Sequence, residues 1–482
     1  MHPAGTFRVL GVLLMLFSVS MLVPAGVSLL YRDGATTAFL LAFAITLITG
    51  LACWLPVRKQ RAELRIRDGF LVTVLFWAVL GLYGSFPLML SDQPELSITD
   101  AVFESLSGLT TTGATVIQGL DDLPRSILLY RQQLQWLGGM GIIVLAIAVL
   151  PMLGIGGMQL FRAEITGPIK DSKLTPRITQ TAKALWYIYL SLTVACALAY
   201  WLAGMEPFDA IAHSFSTVAI GGFSTHDASI GFFNSQAIEL VAVFFIVLSG
   251  INFTLHFYAF RQRSLHPYRI DPECRTYLVI LLITALIAWL ILFTHNEHDA
   301  IASLRYGVFA TVSIVTTTGF SIADHSVWPS VLPFLLFLGS FTGGCAGSTA
   351  GGIKVMRLLL ILKQGSREIM RLIHPNAVLP IKVGLRAVPD RVMEAVWGFF
   401  SVYVLTFTLM FLAVLATDLD LTTSFSAVAA CINNLGPGLG EVVHHYGDIN
   451  SVAKWILCFA MLIGRLEVFT LLVLFSPAFW RK

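Results

Sequence analysis

Four short uncharged runs end in glycine: Thr111-Thr112-Gly113, Ile220-Gly221-Gly222, Thr317-Thr318-Gly319 and Asn434-Leu435-Gly436. A cation stripped of its water shell needs replacement oxygens, and backbone carbonyls on converging extended segments can supply them. Glycine admits the backbone conformations that inward-pointing carbonyls demand. None of these runs carries a carboxylate, which suits a weakly hydrated monovalent cation better than a divalent one. Potassium, with rubidium as its mimic, is the natural ion. Ile220 and Leu435 have no side-chain oxygen, so the expected ligands are carbonyls.

The segments that must position these runs resemble one another. "FESLSGLTTTGAT", "HSFSTVAIGGFST", "FATVSIVTTTGFS" and "FSAVAACINNLGPG" each read as a short amphipathic helix of about ten residues entering a glycine turn. They recur at intervals of about 97 to 117 residues, so the repeat gives the architecture before any single motif does. Each unit holds a span, a re-entrant helix, an extended stretch and a second span. Re-entrant backbone is tolerated only inside protein or against water, and four such units around an axis enclose a pore. A helix entering from outside would aim the partial negative charge of its C-terminus at the membrane centre.

Composition agrees with that setting. Of 482 residues, 56% are hydrophobic and 12% charged, against roughly 25% charged in soluble domains. Apolar runs fall near residues 7–30, 36–56, 69–90, 126–152, 181–204, 236–260, 275–294, 327–363, 391–416 and 451–479, most of them long enough to span a bilayer. The expected fold is an all-α polytopic membrane protein with ten transmembrane helices. Two extra N-terminal spans occupy 1–66, and the four pseudo-symmetric units occupy 67–165, 166–265, 266–385 and 386–482. The first run is too long for a signal-peptide core and lacks a clear cleavage site, so it is read as a span.

Basic segments at 57–69, 169–183, 261–269 and 357–386, with the terminal "WRK", are separated by pairs of spans. All can therefore lie on one side, which predicts cytoplasmic termini. A net charge of +3 argues against nucleic acid as a partner. Six scattered cysteines include no C-x-x-C pair and predict neither a zinc site nor a disulfide framework. His256 reads as a packed residue and His444, His445 as loop residues; no catalytic grouping is visible.

Three further features bear on control of a pore. "GGCAGSTAGGIK" places Gly343, Gly344, Gly347, Gly351 and Gly352 with Ser348, Thr349 and Lys354 inside one apolar run. Such glycine density should break the helix into a loop, although small residues also permit close helix packing. Arg465 lies inside the last run, where it could repel or meter cations, or instead pair with an acid or reach the interface. Asp227, Asp324 and Glu441 each follow their glycine by five residues and would form an acidic outer vestibule, or be ordinary loop acids.

With these four glycine runs, "SIGFFNSQAIELVAVF", "GGCAGSTAGGIK" and "CINNLGPGLGEV", the chain resembles the bacterial Trk/Ktr potassium uptake family over nearly its whole length. The resemblance implies a Trk system protein of the bacterial inner membrane, a homodimer with one pore per protomer. It also implies a cytosolic TrkA-type nucleotide-binding ring that docks on the cytoplasmic face and controls the gate, with no organic cofactor on this chain. The broken segment would be the gating loop and Arg465 the arginine beneath the filter. Glycine in the first filter implies potassium preference, while Asn433, Asn434 and Leu435 depart from the threonine pattern. The competing reading is a proton- or sodium-coupled symporter, for which Glu104, Glu239 and Glu394 are poorly placed candidates; a membrane enzyme is more remote.

Overall fold

A computed structural model describes residues 3–59, 66–144, 178–295, 299–329, 331–384 and 386–481. Apart from one two-residue antiparallel pair, Lys382–Val383 with Arg386–Ala387, the regular structure among the described residues is helical. Lipid leaves no other way for an isolated segment to satisfy its backbone. Among the described residues, six helices are long and apolar enough to cross a membrane: Pro3–Tyr31, Thr36–Val57, Arg67–Leu90, Lys183–Leu202, Pro272–Thr294 and Asp390–Leu415. Two bent pairs raise the number to eight. Along Pro272–Thr294 the side chains Leu278, Leu282, Ile283, Leu286 and Leu290 are exposed, as expected of a face meeting acyl chains.

The bent pairs correct two spans expected to be continuous. The run at 236–260 is Gln236–Ser249 and Phe253–Gln262, meeting at 95°. The run at 451–479 is Ser451–Arg465 and Phe469–Phe475, meeting at 107°. Each break has an identifiable structural basis. In the first, the Gly250 carbonyl accepts from Cys345 N–H at 2.9 Å and Phe253 N–H donates to the Gly347 carbonyl at 3.1 Å, so a distant segment replaces the missing helical bonds. In the second, Glu467 and Val468 adopt φ of 53° and 59°, which reverses the helix. Residues 327–363 are likewise discontinuous: Val331–Ser340 and Val355–Ile373 flank the nonhelical stretch 341–354.

Four shorter helices, Ile98–Leu109, Pro207–Ala219, Ala300–Val315 and Leu421–Asn433, lie inside the protein. Ser97, Asp299 and Asp420 cap three of them by accepting backbone N–H groups, and Pro207 opens the other. Their C-terminal halves are almost wholly buried, including Ser105, Ser107, Thr217 and Ser313. Ser105 Oγ donates to the Gly81 carbonyl at 2.7 Å, whereas Ser107 Oγ is buried with no hydrogen-bond partner among the described residues.

The first basic segment meets the C-terminal one. Arg67 donates to the Arg481 carbonyl at 2.6 Å, and Gly384 abuts Pro272. Residues 60–65 of the first basic segment, 169–177 of the second, and the end of the 126–152 run with the 165/166 unit boundary lie outside the described residues.

Candidate functional site

All four short helices stop in the same way. The N–H one residue before each ring glycine donates five residues back: Thr112 to Ser107 at 2.8 Å, Gly221 to Ser216 at 2.9 Å, Thr318 to Ser313 at 2.7 Å and Leu435 to Ala430 at 2.8 Å. The N–H before it donates to Gly108, Thr217, Ile314 and Cys431 in turn. These are the paired bonds of a Schellman-type stop. Gly113, Gly222, Gly319 and Gly436 have φ of 80°, 83°, 87° and 94°, the left-handed region that glycine was expected to serve.

Sequence reasoning missed a second left-handed position. Two residues before each glycine, Thr111, Ile220, Thr317 and Asn434 have φ of 55°, 54°, 68° and 56°. For β-branched Thr and Ile this is a strained conformation costing roughly 1–3 kcal/mol each. Nothing in residue type announces it; asparagine alone is at home there.

The turns converge in a closed cycle. A Cβ built on Gly113 would strike the Gly221 carbonyl oxygen; on Gly222, that of Thr318; on Gly319, that of Leu435; on Gly436, that of Thr112 at 2.6 Å. Each glycine thus abuts the carbonyl just before the next glycine, and the fourth returns to the first. Any side chain at these glycines would fill the space beside those oxygens. Thr111 Oγ1 and Asn434 Oδ1 are buried with no hydrogen-bond partner among the described residues. Asn434 Nδ2 donates to Thr112 Oγ1 at 2.9 Å and to the Met461 carbonyl at 3.1 Å, so the departure from threonine stitches the last turn to the first.

The helix Arg125–Val144 supplies a polar backing that the apolar reading of this run overlooked. Arg131 and Glu104, 1% and 0% exposed, pair at 2.7 Å. Arg131 also donates to the Ser224 carbonyl and to Thr115 Oγ1, while Glu104 accepts from Val116 N–H. Gln132 and Gln135 donate to the Phe223 and Gly221 carbonyls. The signal was present in "YRQQLQW", too polar for a lipid-facing helix. Glu239 pairs with Arg305 at 2.6 Å, and Glu394 is exposed on Asp390–Leu415.

Beneath the ring lies the stretch 341–354. Gly351 N–H donates to Thr317 Oγ1 at 2.8 Å and Gly352 N–H to the Asn433 carbonyl at 3.1 Å. Thr349 Oγ1 donates to the Val218 carbonyl at 3.0 Å, and Glu273 accepts from Ala346 N–H at 2.6 Å. A Cβ at Gly351 would overlap the Asn433 carbonyl oxygen. Gly343, Gly347 and Gly352 have positive φ, as does Lys354; Gly344 and Ser348 complete the turn. Lys354 Nζ is buried and donates to the Ala350 carbonyl.

Arg465, 6% exposed, donates to the Thr349 carbonyl at 3.2 Å and the Gly138 carbonyl at 3.0 Å. Among the described residues no carboxylate lies within ion-pair distance of Arg465; Glu467 pairs with Arg357 instead.

On the far side of the ring Asp227, Asp324 and Glu441 are all exposed. Two are also locally engaged: Asp227 accepts from Leu120 N–H at 3.0 Å and Asp324 from Ser326 N–H at 2.9 Å. Burial opposes the shift, but the Ser326 bonds and nearby His444 hold the Asp324 carboxyl below its ordinary pKa. His226 contacts Asp121 and lies 3.5 Å from Asp209. Burial works against its charge, yet these two carboxylates raise its pKa above the usual value.

Comparison with known proteins gives a consistent picture. The TrkH cation transport protein model matches residues 35–482. The Trk system potassium uptake protein TrkH of Halomonas elongata is 62% identical over 475 residues, 98% of each chain. Its counterpart in Escherichia coli is 55% identical over 483 residues, covering both chains fully. The crystal structure of the potassium transporter TrkH from Vibrio parahaemolyticus matches with a TM-score of 0.92 at 56% identity, across 100% of both chains.

Proposed function

Because this chain belongs to the TrkH cation transport protein family, we propose that it carries potassium, and rubidium in its place, into the cell across the bacterial inner membrane. The path is a gated, channel-like pore. Its filter is the ring of carbonyls contributed by Thr111, Thr112 and Gly113, Ile220, Gly221 and Gly222, Thr317, Thr318 and Gly319, and Asn434, Leu435 and Gly436.

The single observation that carries this reading is the closed cycle in which each ring glycine abuts the next unit's carbonyl. Four uncharged oxygens at equivalent positions replace water around a monovalent cation, and four helix C-termini add negative potential there. The layout proposed is four span, short-helix, span units behind two N-terminal spans, with both termini cytoplasmic.

The stretch 341–354 is the gate, since it lies against Thr317 and Asn433, and Arg465 holds it from below. Asp227, Asp324 and Glu441 gather cations at the outer mouth. The gate is controlled by a TrkA-type cytosolic nucleotide-binding ring on a homodimer.

A coupled symporter would need titratable groups free to exchange protons at the path. Glu104 and Glu239 are instead each held by an arginine, which favours passive conduction. Purified protein in liposomes, with no proton or sodium gradient, should pass rubidium down its own gradient, and Gly113→Ser should raise sodium flux relative to rubidium. Absence of flux without a second gradient would favour the symporter; an unchanged ratio in Gly113→Ser would remove the filter assignment.

A further inference from the structure

Just before its glycine, each run carries Thr112, Gly221, Thr318 or Leu435. The missing side chain at Gly221 has a structural counterpart on a neighbouring helix. A Cβ at Gly221 would overlap Cδ of Gln135, which is fully buried at 0% exposure. In two other runs the threonine at this place turns back on its own helix: Thr112 Oγ1 meets Thr110 Oγ1 at 2.7 Å and Thr318 Oγ1 meets Thr316 Oγ1 at 2.8 Å.

The Gln135 amide bonds the second run in two places. Its Nε2 donates to the Gly221 carbonyl at 2.6 Å, and its Oε1 accepts from Phe223 N–H at 3.1 Å. One partner is purely an acceptor and the other purely a donor, so the amide has a single sensible orientation. The fork grips residues 221–223 much as an adjacent strand would. The same helix face continues the grip, with Gln132 on the Phe223 carbonyl and Arg131 on the Ser224 carbonyl, but Gln135 alone of the three holds an oxygen of the ring cycle.

We propose that Gln135 is a positioning residue for ion selectivity, acting through the Gly221 carbonyl; this rests on the filter reading above. A carbonyl oxygen has two lone pairs. With one occupied by the Gln135 amide, the Gly221 oxygen is tethered from outside the ring and resists moving inward onto a smaller ion. Sodium needs that contraction more than potassium does, so the tether disfavours sodium. Without it the second run relaxes toward the smaller cation.

The test is rubidium and sodium flux through the purified full chain in liposomes, for Gln135→Leu, Gln135→Glu, Gln133→Leu and Gly113→Ser. Gln133 is the control for lost packing, because its amide donates to the Ser20 carbonyl at 2.8 Å rather than to any filter residue. Both Gln135 variants should lower the rubidium-to-sodium flux ratio roughly two- to tenfold, the span one neutral hydrogen bond covers, while Gln133→Leu keeps the parental ratio. If Gln135→Leu does not fold, Gln135→Glu carries the comparison. A parental ratio in the Gln135 variants alongside an altered ratio in Gly113→Ser overturns the role of Gln135 and leaves the filter standing. A parental ratio in all of them removes the filter reading too, and an equal fall in Gln133→Leu reduces the effect to general loosening.

Discussion

The backbone N–H of Gly351 donates to the hydroxyl of Thr317 at 2.8 Å, joining the broken segment of one membrane run directly to a turn of the carbonyl ring. Thr317→Val keeps the shape and β-branching of the side chain but leaves that N–H without its acceptor, a cost of about 1–3 kcal/mol when buried. The expected result is a loop displaced more often, seen as roughly tenfold faster rubidium efflux per 1.4 kcal/mol in liposomes holding this chain alone. Equal efflux from parent and variant would detach this bond from gating.

Arg465 grips the same segment through the Thr349 carbonyl while anchored to the Gly138 carbonyl. Arg465→Gln removes the charge and shortens the reach. Rubidium conductance should rise several-fold, since charge-assisted bonds contribute about 1.5–3 kcal/mol each. Arg465→Lys should fall between the two, because a lysine ammonium cannot span both carbonyls in the same fork. Identical conductance in all three would exclude a metering role.

The Glu104–Arg131 pair is fully enclosed. Removing either partner leaves a buried charge alone, so Glu104→Gln or Arg131→Met should each destabilise by about 3–5 kcal/mol. The double replacement should cost less than the sum. Denaturant unfolding in detergent measures this, and strict additivity would mean that the two side chains do not interact.

Solution pH should act on stability through His226. Its pKa is raised by Asp209 and Asp121 against the effect of burial, so its stabilising contribution is complete below the ordinary value of 6.5. That contribution disappears as pH climbs through the raised folded-state value. Thermal midpoints measured from about pH 5 to about pH 9 should decline more steeply for the parent than for His226→Gln. Parallel curves would rule the cluster out.

Neutralising Asp227, Asp324 and Glu441 together should slow rubidium uptake chiefly at low ionic strength. Exposed charges steer over a Debye length of about 10 Å at 0.1 M salt, and longer when dilute. A deficit of the same size at all salt concentrations would point to local structure, such as the Asp324 cap on Ser326, instead of to a field.

Much of the site could be read from residue order because its constraints are local. Glycine density and a neutral flank are properties of a few neighbouring residues, and Gly113, Gly222, Gly319 and Gly436 adopt the left-handed φ their type permits. The strain at Thr111, Ile220 and Thr317 left no such trace, since it is imposed by helix-stop bonds to residues upstream. The break after Ser249 was only half visible: Gly250 and the helix-capping Asn252 interrupt the apolar run, but the bonds that compensate it come from Cys345 and Gly347, far along the chain.

By itself the sequence determined the membrane class, the recurrence of the short helices and the glycines that end them, because hydropathy, spacing and backbone freedom are written residue by residue. Tertiary structure decided which oxygens meet, that Gln135 rather than a side chain at position 221 fills the space behind the second turn, and that Arg465 holds Thr349 rather than an acid. Those relationships join residues far apart in the chain, 86 positions in the case of Gln135 and Gly221, and such contacts are set only when packed helices leave each buried donor few acceptors to choose from.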